Sequence, residues 1–304
     1  MDLRELRCFV TVAETGSFTR AGGRLEISQS AVSQQIRSLE QSLGTPLFTR
    51  RTREVALTQA GNVLLPYARQ ILAKVDEARA VVSDFEGLGR GRVIIGAGGA
   101  ICHHVLPALL KEFTDRFTKV EVQVISGFSV ETLTRTIDGT VDLGIVVLPV
   151  TNTDVVTSEL GRDELVAIAP PGHRWSSSSR VRARDFLNEP LVVYERNSHT
   201  FRIIERFLLE EGVFPRFAME ISDLEAVKRM VEAGLGVAVM ATWMVREELA
   251  RGSLVARSVG PRGLHRNWGI IHRANDALTA SQRGFLAICR TRFPDVLTSG
   301  NGKA

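Results

Sequence analysis

The sequence predicts an α/β multidomain protein: a small helical head, one long helix and a larger α/β body. Three observations carry that expectation. Residues 18–43 read as two short helices about a tight turn. Residues 64–85 carry apolar side chains at an unbroken 4-3-4-3-4-3 spacing. From residue 91 onward, short β-branched runs alternate with amphipathic helical segments.

The head opens with a helix over 3–14, whose Leu3, Leu6, Phe9, Val10 and Ala13 share one face. Cys8 is expected near that small core rather than as a reactive thiol. Ser17 can cap a second helix in which Ala21 and Leu25, at i and i+4, meet a third. Glu26-Ile27-Ser28 forms the turn, with Ile27 expected to plug the corner and Ser28 to cap the third helix. With Val32 at zero on a wheel of about 100° per residue, Ile36, Leu39 and Leu43 fall on one apolar seam. Ser30, Gln34, Arg37 and Gln41 fall opposite, flanked by Ser33 and Gln29. An exposed face rich in amides and hydroxyls, with Glu40 its one carboxylate, suits a phosphate-lined groove whose base edges offer donors and acceptors. This is a helix-turn-helix with the second of its helices as reader. Gly22 and Gly23 weaken the first by up to about 1 kcal/mol each, so close packing there is expected to justify them.

Gly44 and Pro46 stop the reading helix. The run 47–58 then reads as two short extended pieces, anchored by Leu47-Phe48 and Val55 to Leu57. Arg50, Arg51 and Arg53 project from the tip, three arginines in four residues for phosphate or minor-groove contact. The head, residues 1–58, is therefore a winged helix. Thr58 can cap the long helix, which carries Leu64, Ala68, Ile71, Val75, Ala78, Val82 and Phe85 in heptad positions. The natural partner of such a seam is the same helix of a second copy, and Pro66 should kink its first part. Two heads on a two-fold axis would match a pseudo-palindromic site. Gly87, Gly89 and Gly91 mark a hinge, closing a linker over 59–90.

Totals bound the partners only weakly. A net charge of +4 tolerates nucleic acid without demanding it, and residues 1–58 carry eight Lys/Arg against six Asp/Glu. Local pattern has to carry the case. Three cysteines far apart (Cys8, Cys102, Cys289) argue against a disulfide framework. No signal peptide pattern follows Met1, and no apolar run is long enough to span a bilayer. The expected setting is the reducing cytoplasm, with no membrane partner.

The string FTRAGGRLEISQSAVSQQIRSLEQSLGTPLFTRRTREVALTQAG resembles the LysR-type transcriptional regulators over its full length. The order of winged helix, linker helix and body resembles that family over essentially the whole chain. The family usually carries Ala where Gly22 stands, a departure that bears on stability more than on recognition. The resemblance implies DNA contacts at Ser28, Gln29, Ser30, Ser33, Gln34 and Arg37 and at the wing arginines Arg50, Arg51 and Arg53. Gln29 is suited to adenine and Arg37 to guanine or phosphate. It further implies a homodimer through the linker helices, extended to a homotetramer, on double-stranded promoter DNA, with RNA polymerase as a further contact.

The body, residues 91–304, shows buried-strand runs at 93–95, 120–125 and 141–147, with helices expected over 104–117 and 129–139. That β-α-β-α-β order implies a parallel sheet covered on both faces. Further strands are expected at 164–170, 190–195, 217–222, 236–241 and 267–272, and helices over 200–212, over 223–233 and from about Ala277. Two α/β lobes follow, lobe I over about 91–161 and 268–304 and lobe II over about 162–267. The resemblance implies a two-lobed, periplasmic-binding-protein-like effector domain with a small-molecule cleft.

Strand ends supply the candidate cleft residues: Gly99, Ala100, Ile101, Ser126, Phe128 and Ser129 from one lobe, Ser198, Thr200 and Arg202 from the other. Family resemblance assigns Thr200 and Arg202 to an anionic effector by hydroxyl and guanidinium donation. Gly99-Ala100 departs from the Ser/Thr often found on the first lobe's side. A dinucleotide site at Gly96 is incomplete, because Ile101 holds the third glycine position. The glycines are expected instead to leave room for a ligand beside a helix N-terminus. Cys102-His103-His104 lacks metal-ligand spacing to the other histidines and reads as packing at a helix start. Gly127-Phe128-Ser129-Val130-Glu131 lacks the closing glycine of a nucleophile elbow. No catalytic machinery and no cofactor are called for. The segment EISDLEAVKRMVEAGLGVAVM resembles regulators of sulfur and carbon-fixation pathways, and the wider family as well.

Overall fold

The computed structural model describes residues 1–51, 54–85 and 91–298, and among these the side chains of all but 50, 51, 54, 73 and 76–85. The chain divides into two compact units at residues 90 and 91, with 137–140 grouped with the first.

In the first unit, α1 (Leu3–Thr15) starts on a capping box in which Asp2 accepts the amides of Arg4 and Glu5. Ser17 caps α2 (Phe18–Leu25), which ends on Glu26 in the left-handed region at φ 56°. Ser28 caps α3 (Gln29–Leu43), and Gly44 closes it at φ 70°. The hairpin pairs β1 (Phe48–Arg51) with β2 (Glu54–Leu57), Phe48 opposite Leu57 and Arg51 opposite Glu54. The Gly61 amide donates to Thr58 Oγ1, capping α4 (Gln59–Phe85), which continues through Pro66.

The head's core is Leu6, Phe9, Val12, Ala21, Val32, Ile36, Leu39, Leu47, Phe48 and Ala68, with Cys8 buried among them. Three expected core residues are instead exposed. Leu3 opens α1 and Leu43 closes α3, both beyond the reach of the core. Ile27 does not plug the corner: it is 40% exposed, and only its amide turns inward, donating to Gly22 O at 3.0 Å. The corner is closed by Gly22 itself. A Cβ there would stand 2.7 Å from the Ile27 carbonyl oxygen, whereas one on Gly23 would meet nothing within 4 Å. Close packing thus accounts for the first glycine and not the second.

The seam of α4 is also divided. Ala68 is fully buried in the head's own core and Leu64 and Leu72 pack against it, while Ile71 is 37% exposed. The first turns therefore serve the head. Ala78, Val82 and Phe85 have side chains outside the described residues, as are Gly87 and Gly89.

The second unit opens with β3 (Gly91–Ala97), so Gly91 belongs to a strand. The helix expected over 104–117 is two helices, α5 (Gly99–His104) and α6 (Leu106–Arg116), the latter starting with Pro107 in its first turn. Then come β4 (Val120–Ser126), α7 (Ser129–Ile137) and β5 (Leu143–Leu148), with β3 parallel to both other strands. Next, β6 (Val155–Ala169) is far longer than the run at 164–170, because its first half is mostly polar and only intermittently buried, and so reads poorly as a strand. It is followed by β7 (Arg180–Val181), β8 (Pro190–Tyr194), α8 (His199–Glu210), β9 (Arg216–Ile221), α9 (Leu224–Glu232) and β10 (Ala238–Ala241). The chain ends with α10 (Arg246–Ala250), β11 (Val255–Val259), β12 (Leu264–Arg273) and α11 (Ala280–Thr298).

One sheet runs β4-β3-β5-β12-β6-β11-β7, with β10 also on β6 and β8 parallel to β9 beside it. Strand β12 lies antiparallel to both β5 and β6, so β6 and β12 pass through both halves of the body. Gly96 is not a ligand cradle. It is buried, and a Cβ there would stand 2.9 Å from Thr132 Cγ2 of α7.

These glycine contacts predict opposite outcomes for two neighbouring substitutions. Gly23→Ala should stabilise the head by about 0.5–1 kcal/mol through helix propensity. Gly22→Ala should destabilise it by about 1–3 kcal/mol, because the new methyl meets backbone. Urea denaturation of the full chain, with amide exchange of α1 and α3 reporting on the head, checks both.

Candidate nucleic-acid interface and ligand cavity

Helix α3 buries Val32, Ile36 and Leu39 and turns Gln29, Ser30, Gln34, Arg37 and Gln41 to solvent, with Ser28 exposed at its cap and Ser33 half-buried. These polar side chains are ordered against one another. Ser28 Oγ and Ser30 Oγ stand 2.9 Å apart, and Gln29 Nε2 donates to Ser33 Oγ at 3.0 Å. Glu40, the one carboxylate, is turned away: its Oε1 accepts the amides of Leu47 at 2.8 Å and Phe48 at 3.3 Å. That contact ties the end of α3 to the start of the hairpin and satisfies the acidic charge with backbone donors. Arg50 and Arg51 lie on β1 opposite Val55 and Glu54. Their side chains, and Arg53 altogether, lie outside the described residues.

The back of α3 is held by a second carboxylate. Ser38 Oγ donates to Glu5 Oε1, and the Asp2 amide donates to Glu5 Oε2 at 2.8 Å. The Ser38 bond above all, opposed by burial and helped by the Asp2 amide, holds the Glu5 carboxyl below its ordinary 4.5.

In the second unit a cavity opens between the β3–β5 half and the β8–β10 half. About 920 Å³ of empty space lies within it, open solvent at its mouth included. Of the sequence candidates, Gly99, Ala100, Phe128, Ser129, Ser198 and Thr200 line it. Three others do not. Ile101 is fully buried in the core and Arg202 is exposed. Each follows directly on a lining residue, Ala100 and Phe201, and the next step of about 100° round the helix carries its side chain out of the cavity. Ser126, at the end of edge strand β4, is exposed and uses its carbonyl to accept from Arg135.

The guanidinium at the cavity is that of Arg266 on β12. Its Nε donates to Asp163 Oδ1 at 2.9 Å, its Nη2 to Asp163 Oδ2 at 2.9 Å, and its Nη1 to Thr200 Oγ1 at 2.6 Å. Trp243 Nε1 donates to the same Asp163 at 2.7 Å, and the guanidinium lies 4.6 Å over the Trp268 ring. Both charges are nearly fully buried. Much of the remaining lining is apolar: Val147, Leu191, Val192, Ile204, Val239 and Met244 among others. Burial, with Arg202 and Arg206 nearby, pushes the His199 imidazole below its ordinary value. Arg266, Trp268 and Tyr194 were not singled out from sequence. Arg266 stands between His265 and Asn267, and that polar neighbourhood gave no sign of its burial.

A winged helix with an uncovered polar face on its third helix, joined to a two-part α/β unit with a largely apolar cavity that holds a few polar groups, fits a DNA-binding protein with a ligand-binding body. Comparison with known proteins agrees. Residues 3–62 match the bacterial regulatory helix-turn-helix proteins of the lysR family, and residues 86–294 match the LysR substrate binding domain. The RuBisCO operon transcriptional regulator of Allochromatium vinosum is 32% identical, with 94% of each chain covered. The HTH-type transcriptional activator CmpR of Synechocystis sp. is 29% identical, with 93% of each covered. Among solved structures, full-length OxyR of Pseudomonas aeruginosa shares the fold at a TM-score of 0.78 and 23% identity, covering 100% of this chain and 99% of that one. CbnR in complex with its target DNA shares it at 0.67 and 22% identity, covering 96% and 99%. The chain belongs to the LysR family. It is a DNA-binding transcriptional regulator with an effector-binding domain, and not an enzyme. Among the described residues no helix is long and apolar enough to cross a membrane.

Two outcomes follow. A depressed carboxyl contributes stability that is present above its unfolded value and lost as pH falls through its folded one. Glu5→Gln should therefore remove part of the head's acid sensitivity below about pH 4.5, measured as the thermal midpoint of the head against pH. Asp163→Ala, which strands a buried guanidinium, should cost about 3–5 kcal/mol, whereas the pair Asp163→Leu with Arg266→Met should cost much less. Urea denaturation of the body distinguishes them.

Proposed function

We propose that the chain acts in the cytoplasm as a homodimer joined through α4, assembled further to a homotetramer, on a pseudo-palindromic promoter site. Ser28, Gln29, Ser30, Ser33, Gln34 and Arg37 read base edges or phosphates in the major groove, and Arg50, Arg51 and Arg53 hold the flanking backbone or minor groove. The observation that carries this reading is the polar face of α3, exposed along its length and cleared of carboxylate by the turn of Glu40 toward the hairpin.

The effector occupies the cavity between the halves of the body, lobe I being 91–161 with 268–304 and lobe II 162–267. It is anionic at one end. The support for this is the N-terminus of α8 at the cavity, because helix starts favour negative charge. Binding changes the angle between the lobes about the β6–β12 crossing, and with it the spacing and bend imposed on DNA, which RNA polymerase senses. The relatives named as RuBisCO operon regulators make genes of carbon fixation the first targets to examine.

The test is a footprint of the purified chain on the DNA upstream of its own gene, followed by selection from random DNA. A protected, two-fold-related site supports the reading, and no selected sequence at low salt overturns it. Arg50→Ala with Arg53→Ala, which removes two arginines from each wing of the dimer, should weaken binding at least roughly 100-fold and reduce the slope of log affinity against log salt by about 3–4. Titration at several salt concentrations checks this.

A further inference from the structure

Strand β7 ends the sheet, parallel to β11 with Arg180 opposite Ser258, and the chain around this edge collects arginine. Residues 171–189 and 255–263 together hold six arginines against two carboxylates. That surplus equals the +4 of the whole chain, so the remaining residues sum to zero. Arg180, Arg182, Arg184 and Arg262 are exposed and Arg257 is half-buried. Among the described residues none of these five guanidinium groups meets a carboxylate. Arg257 donates to the carbonyls of Ser176, Ser178 and Ala256, and Arg180 to those of Gly260 and Pro261. Arg182, Arg184 and Arg262 form no side-chain hydrogen bond or ion pair among the described residues.

The carboxylates at hand are already engaged. Asp185 Oδ2 accepts the Arg182 amide at 2.8 Å, and Glu189 stands 2.7 Å from Arg174 Nε and 3.1 Å from His173 Nε2. Glu164 accepts the hydroxyl of Ser258. Charge on an outer strand also guards it from pairing with another sheet, but Arg180 on the strand itself meets that need. Arg257, on β11, and Arg262, in the turn after it, lie off the outer strand. A protein partner would want an apolar or aromatic anchor at the centre of the patch. Leu187, 48% exposed, is the one large apolar side chain that these two segments turn to solvent. A phosphate backbone needs no such anchor: a duplex carries a charge for about every 1.7 Å of its axis, and guanidinium groups hold it at any sequence.

We infer that the β7 edge of the body is a second DNA-binding surface, which holds the phosphate backbone of a duplex without regard to sequence. Arg182, Arg184 and Arg262 contact phosphates directly. Arg180 and Arg257, fixed by backbone carbonyls, add a constant positive field beside them. The surface acts independently of α3 and the wing, and binding there weakens as salt rises.

Fluorescence anisotropy of the full chain with a random-sequence duplex, at several salt concentrations, tests this. Arg182→Gln with Arg184→Gln and Arg262→Gln should weaken binding roughly tenfold or more. It should also lower the slope of log affinity against log salt by about 3 for each patch engaged. The same three positions changed to Lys keep the charge and should retain most of the affinity. Contact is read directly by a photo-crosslinker on Arg184→Cys in a chain with Cys102→Ser, since Cys8 and Cys289 are buried. It should attach to the duplex, whereas the same group on Thr114→Cys, exposed on α6 in the other half of the body, should not. Unchanged affinity and slope in the Gln variant, or equal losses with Gln and Lys, overturn the proposal. So does a crosslink that is absent from position 184 or equally strong from position 114. Preferential crosslinking of an oligo-glutamate peptide over the duplex also overturns it, and marks the edge as a site for an acidic protein segment.

Discussion

The antiparallel ladder of β6 and β12 runs from Leu264 opposite Leu165 to Arg273 opposite Val155, and the body depends on it. Across its register shift, from Asn267 to Ile271, β12 also pairs with β5, and further along β6 also carries β10 and β11. Each half therefore completes its sheet with the same two strands. Backbone hydrogen bonds in a continuous ladder resist sliding, since slipping by one residue would turn every side chain to the opposite face. What the ladder permits is a local change of twist at the irregularity between Trp268 and Gly269. Opposite it stands Gly161, at φ 154°, where an added Cβ would stand 3.5 Å from Pro294 Cγ of α11.

Next to that point the chain buries Asp163 and Arg266. Such a pair is weak evidence for stability, because desolvation offsets much of its attraction. Its geometry imposes something else. With Trp243 and Thr200 sharing its remaining valences, the pair fixes the rotamer of Arg266 and through Thr200 the first turn of α8. The cavity is consequently walled by side chains whose positions are set before any ligand arrives, which lowers the ordering cost of binding.

Much of the fold was legible because periodicity and caps agreed. Ser17, Ser28 and Thr58 each accept the helix-start amide expected of them, and Gly44 ends α3. The parallel β3–β5 unit followed from three apolar runs separated by helical ones. Legibility failed where one residue type serves two environments. The first half of β6 is mostly polar after Val155-Val156 and lacks a continuous apolar run. The seam of α4 looks uniform in sequence, yet Ala68 serves the head while Ile71 is exposed. In the cavity, the strand-end rule found Gly99, Ser129 and Thr200. It chose Arg202 for the cation because that arginine is near in sequence, whereas Arg266 arrives from 66 residues away through strand pairing with β6.

The side chains on the exposed face of α3 are already bonded to one another, Ser28 with Ser30 and Gln29 with Ser33. In the proposed complex with DNA, a base edge that fits is exchanged for an existing partner, and one that does not fit leaves these groups with their own bonds intact. Discrimination by a reader of this kind is muted in both directions. The correct base gains less than a fresh hydrogen bond, and the wrong base escapes the penalty of stranding a buried polar group. A surface that reads this leniently tolerates drift in its half-sites, and its selectivity has to come from multiplying several modest readings on one stretch of DNA.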